Sequence, residues 1–148
     1  MSKNFAGFIM TYERPEILHS TINIVFEQTL PPEKLLIVDN SFSNITQDLV
    51  KKINLPNLYY HKVGYNSGPA GAAAIGLKIL SDEGYDWIYW GDDDDPPYFK
   101  NTFEILIEMA IQSNQVGCVG SVGQFLNFKT GFIKRVPDSY LQNYKTIE

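Results

Sequence analysis

Apolar runs of strand length alternate four times with helix-length amphipathic segments in this sequence. That alternation is the mark of a largely parallel sheet flanked by helices, because parallel neighbours need a crossover and the crossover is usually helical. Phe5–Thr11 is the first candidate strand. Pro15 then suits the first helical turn, and Ile17, Leu18, Thr21, Ile22, Val25 and Phe26 fall on one face of a helix ending near Gln28. Leu35–Val38 is a second buried strand, followed after Asn44 by a helix carrying Ile45, Leu49, Val50 and Ile53. Leu58–Lys62 is a less apolar strand, expected near the sheet edge, and Ala70–Leu80 is a helix opening on small residues and stopped by Gly84. Asp86–Gly91 makes the fourth strand, and its aromatic run Trp87–Trp90 is expected in the core. Asn101 and Glu104 form a capping-box-like pair for a helix over Phe103–Ile111. Val116–Val122, with Cys118 as a small core residue, is read as a fifth strand, and Gln124–Phe128 with Gly131–Val136 as a β-hairpin.

Bulk properties narrow the function classes. A chain of 148 residues suits one domain, and 44% hydrophobic with 20% charged residues is a globular composition. The net charge of −5 argues against a nucleic-acid surface, which needs a basic patch. One cysteine permits no internal disulfide, and no signal-peptide or transmembrane pattern is visible, so the expected location is cytoplasmic. The expected organisation is one unit over residues 1–136 and a polar tail over 137–148.

In open α/β sheets ligands bind beyond the carboxyl ends of the strands. Those ends carry Thr11-Tyr12-Glu13-Arg14, Asp39-Asn40-Ser41, the loop from Asn66 to Gly71, and Asp92-Asp93-Asp94-Asp95. Four adjacent carboxylates repel one another, and each raises its neighbours' pKa. Placed at the end of a buried strand they call for a cation, and oxygen-only ligands suit Mg²⁺ or Mn²⁺. A helix opening on small residues can receive a phosphate, and Asp39 can accept hydrogen bonds from a base or ribose. The assembled expectation is a nucleoside diphosphate held with a divalent ion. Each motif also has a plainer reading: an Asx turn at Asp39–Ser41, tight packing at Gly68 and Gly71, a surface arginine at Arg14, and structural roles for His19 and His61.

In order and spacing, Phe8–Pro15, Leu36–Ser41, Asn66–Gly71 and Asp92–Asp95 resemble the family 2 glycosyltransferases, over about the first 125 residues. The Asn-x-Gly-x-Ala-Gly loop resembles the rhamnosyl- and galactofuranosyltransferase-like branch. The resemblance implies a GT-A (Rossmann-like) three-layer αβα fold, with a mostly parallel sheet and a C-terminal β-hairpin. It further implies a UDP- or dTDP-sugar donor and inverting transfer to a glycan or other hydroxyl acceptor. Carried over, Thr11 and Tyr12 line the nucleoside pocket near Arg14, Asp39 holds the base, and Asn66 and Gly68 border the donor. Asp92 and Asp93 fall on the donor side. Asp94 with Asp92 are the expected metal ligands, Asp93 with Asp95 being the alternative register.

Two departures qualify the resemblance. Ala72-Ala73-Ala74 stands where many members place an Arg or Asn near the phosphates, and nothing after Val136 resembles the acceptor-side helix that carries the catalytic base. No base is assigned. The expected enzyme is therefore completed by its tail, an oligomeric partner or a companion chain. The rivals are a homologue that binds nucleotide-sugar without transferring, and an unrelated metal-binding α/β module.

Overall fold

The computed structural model describes residues 4–112, 115–120, 124–127 and 132–135. The elements are β1 (Ala6–Thr11), α1 (Pro15–Phe26), β2 (Lys34–Asp39), α2 (Ile45–Ile53), β3 (Leu58–Lys62), α3 (Gly68–Asp82), β4 (Ile88–Asp92), α4 (Thr102–Ala110), β5 (Gln124–Asn127) and β6 (Phe132–Arg135). The first four strands form one parallel sheet in the order β3-β2-β1-β4. β1 lies inside the sheet and every one of its residues is buried, which is why it reads as a continuous apolar run. β3 is an edge strand, as its mixed composition predicts. The β5–β6 pair is antiparallel, as the expected hairpin requires; Phe128, Gly131 and Val136 of its expected arms lie outside the described residues.

Helices cover both faces, giving three layers. Side chains at alternate positions of β1 and β2, among them Ile9, Leu35 and Ile37, pack with Leu18, Ile22 and Val25 of α1, Val50 of α2, and Phe103 and Ile107 of α4. The intervening positions Phe8, Met10, Leu36 and Val38 pack with Ala72, Ala73 and Leu80 of α3. The small residues of α3 have a direct packing use. A Cβ on Gly76 would lie 2.5 Å from the Phe8 ring, so the helix sits on the sheet at backbone distance.

Several local expectations are corrected. Residues 116–120 form no strand, and Cys118 is exposed rather than core. Gly117 and Gly120 put no side chain against anything, so the stretch lacks the packing a strand needs. Residues 121–122 and the proposed tail boundary lie outside the described residues. The capping box does not form: Asn101 makes no side-chain cap bond, and Glu104 accepts the Thr29 hydroxyl at 2.9 Å. Trp90 stands on the Phe8 face of β4 and remains 54% exposed, while Trp87 and Tyr89 pack on the opposite cluster as expected. Ile17 and Ile45, assigned to buried helix faces, are exposed at the first turns of α1 and α2.

Candidate functional site at the carboxyl edge

The parallel register brings the last residues of β1, β2 and β4 side by side: Thr11 pairs with Asp39, and Met10 with Asp92. The turn after β4 is then drawn back over β1. Asp93 is fully buried, and its carboxylate accepts the Thr11 hydroxyl at 2.7 Å and the Arg14 guanidinium. Its main-chain carbonyl accepts the Thr21 hydroxyl of α1 at 2.6 Å. Arg14 reaches across to Asp94 as well, at 2.8 Å. A single arginine thus bridges one buried and one exposed carboxylate, and Asp92 and Asp95 stand exposed beside them.

The field is strongly negative. Burial, followed by the charges of Asp94, Asp93 and Asp95, holds the Asp92 carboxyl above the usual carboxylate range. Burial raises Asp93 too, opposed by the Thr11 hydroxyl and Arg14. The Tyr89 phenol is pushed up to about 12 by burial and by Asp95 and Asp92. Arg14 is held even more firmly protonated by its bond to Asp94.

At the end of β2, the buried Asp39 carboxylate accepts the Ser41 N–H and the Tyr60 hydroxyl, at 2.8 and 2.7 Å. Burial and this bond raise the Tyr60 phenol, keeping it a donor. Asn40 crosses to the third loop: its amide donates to the Gly68 carbonyl at 3.2 Å, and its Oδ1 accepts the Ser67 hydroxyl at 2.8 Å. Asn66 Oδ1 accepts the Gly68 N–H at 3.0 Å, turning the chain into α3 where Gly68 takes a φ of +70°.

The edge therefore gathers Thr11, Tyr12, Arg14, Asp39, Asn66, Gly68 and Asp92–Asp95 onto adjoining loops. Among the described residues no three His, Cys, Asp or Glu side chains form a cage for a metal by themselves. Thr21, Tyr60, Ser67 and Glu13 also orient this edge, without having been assigned a role from sequence. Glu13 and Ser67 stood inside strand-end motifs and Thr21 was visible as a polar residue within the apolar stripe of α1; Tyr60, inside β3, carries no local signal.

The sheet order and helix placement have the form of GT-A-like glycosyltransferases. S. aureus TarS residues 1–349 in complex with UDP superposes with a TM-score of 0.59 at 23% identity, over 72% of this chain and 32% of that one. The mannosyltransferase PcManGT of Pyrobaculum calidifontis, in complex with GDP-Man and Mn²⁺, gives 0.55 at 16% identity over 66% and 29%. Galactofuranosyltransferase GlfT1 of Mycolicibacterium smegmatis (strain ATCC 700084 / mc(2)155) is 30% identical over 102 residues, 69% of this chain and 33% of the relative. GlfT1 of Mycobacterium tuberculosis (strain ATCC 25618 / H37Rv) is 28% identical over 96 residues, 64% and 31% of the two chains. Residues 8–145 match Glycosyl transferase family 2, and the chain belongs to that family. It spans about a third of the length of the curated relatives it matches.

Proposed function

We propose that this chain supplies the donor-binding side of an inverting glycosyltransferase, taking a UDP- or dTDP-sugar and passing the sugar to a hydroxyl of a glycan or other acceptor. The observation that carries the reading is the acidic turn after β4, pinned by Thr11 and Arg14 beside Asp39 at the strand ends. The GDP-Man and Mn²⁺ complex of one structural relative and the UDP complex of another agree with it.

The donor set suits Mn²⁺ or Mg²⁺. Such ions are commonly held by one or two carboxylates together with substrate phosphates, rather than by a cage of protein ligands. Asp94 and Asp92 are the residues to hold it: both are exposed, whereas Asp93 is buried and committed to Thr11 and Arg14. That favours the Asp92–Asp94 register over Asp93 with Asp95. When bound, the ion supplies positive charge to the departing nucleoside diphosphate. Arg14, already at Asp94, adds a second cation on the same side. Tyr12, exposed at the same edge, is the residue to line the nucleoside; Thr11 and Asp39, buried with hydroxyl and carboxylate engaged, hold the frame beneath it, and Asn66 and Gly68 border the donor.

No residue is assigned as the base that deprotonates the acceptor. Incubation with labelled UDP-, dTDP- and GDP-sugars and Mn²⁺, with the product's anomeric configuration read by NMR, tests the proposal. Transfer with inversion is expected. Retention of configuration contradicts the mechanism, and nucleotide binding without turnover leaves a donor-binding protein only.

A further inference from the structure

Glu13 and Asn54 are the two non-glycine residues with left-handed backbone among those described, and only Glu13 lies at the carboxyl edge. Its φ of +53° is uncommon for a glutamate, so the surroundings must hold it. They do so through four bonds to the loop after β2. The Glu13 N–H donates to Ser41 Oγ at 2.8 Å. Its carboxylate accepts the N–H groups of Phe42 and Ser43 at 2.8 and 3.0 Å, and the Ser43 hydroxyl at 2.7 Å. Lys62, from β3, closes the far side of that loop, donating to the carbonyls of Phe42 and Ser43 and to Asn44 Oδ1 at 3.3, 2.9 and 2.6 Å.

The lock has a visible product. The rings of Tyr12 and Phe42 meet edge to face, 6.3 Å apart and 81° between planes. Both are exposed, at 41% and 67%, so core packing does not hold them there. What fixes them is the polar frame on which their backbones sit. Beside them the Asp39 carboxylate accepts the N–H of Ser41 in the same loop. An exposed aromatic edge on a rigid frame is what a planar heterocycle packs against, since base–aromatic contact is worth several-fold in affinity for any base.

We propose that Glu13 is a positioning residue for the nucleobase: it fixes the loop at residues 41–43 so that Phe42, with Tyr12, forms the wall on which the donor's base packs. The proposal rests on the donor-site reading above. Phe42 touches the base; Glu13 acts through it.

Calorimetry with UDP, dTDP, GDP and pyrophosphate, each with Mn²⁺, tests this on wild type, Glu13→Gly, Glu13→Gln, Phe42→Ala and the Gly/Ala double variant. Glycine adopts the left-handed backbone freely and removes only the side chain. Expected is a loss of about tenfold in affinity for the preferred nucleotide in Glu13→Gly and in Phe42→Ala, with pyrophosphate binding unchanged. The double variant should lose no more than either single one, because both act through one contact. Glu13→Gln keeps an acceptor for the two N–H groups and should restore most of the affinity. Nucleotide and pyrophosphate falling together, fully multiplying losses in the double variant, or Glu13→Gly binding as wild type each overturn the proposal. Wild type binding no nucleotide overturns the donor-site reading itself, and this inference with it.

Discussion

Asp93 and Asp94 are chain neighbours with opposite situations, and substituting each should separate folding from binding. Asp93→Ala leaves the buried Thr11 hydroxyl without its acceptor and strips Arg14 of one partner. The expected cost is ~1–3 kcal/mol in urea unfolding. Asp94 is exposed and its ion pair with Arg14 is half in solvent, so Asp94→Asn should change stability by less than ~1 kcal/mol. A large loss of stability in Asp94→Asn would contradict that division.

Glu13 gives a prediction in pH. Its carboxyl is held below the ordinary value of 4.5, chiefly by the Ser43 N–H and hydroxyl, with Phe42 N–H and the Lys62 charge assisting. A carboxylate whose pKa is lowered in the fold contributes stability above its ordinary value and loses it as pH falls through the folded value. The amide resonances of Phe42 and Ser43 should therefore follow a titration whose midpoint lies below that ordinary value. An inflection at or above 4.5 would contradict the lock.

The elements were legible where one physical rule decided them. β1 and β2 are buried on both faces, so continuous apolar runs identified them, and α1 declared itself by its stripe. The stretch 116–120 misled because Val116, Cys118 and Val119 look strand-like while Gly117 and Gly120 leave it without packing. The capping box failed for a different reason. Glu104 had a competing donor, Thr29, which lies 75 positions away in the chain and could not be seen from local spacing. Glycines divide in the same way. Gly76→Ala should destabilise by ~1–3 kcal/mol, because its Cβ would press the buried Phe8 ring against the sheet. Gly117→Ala meets nothing within 4 Å and should be close to neutral. Equal melting points for the two variants would refute the close seating of α3 on β1.

At the scale of the molecule, the architecture followed from the alternation of elements, and the three layers with a parallel sheet are as expected. That the four motifs meet at one edge was legible too, because strand ends in such a sheet share one edge. Which carboxylate faces inward was not. Asp92–Asp95 are chemically identical, and only the folded turn, with Thr11, Thr21 and Arg14 gathered on Asp93, distinguishes them. No helix among the described residues is long and apolar enough to cross a membrane. The central claim is that this edge binds a nucleoside diphosphate through a divalent ion at Asp94. Calorimetric titration of UDP, dTDP and GDP, with and without Mn²⁺, into wild type and Asp94→Asn measures it directly. Binding of at least one nucleotide that needs Mn²⁺ and is lost in Asp94→Asn is the predicted result; equal binding with and without the metal, or in the variant, would contradict it.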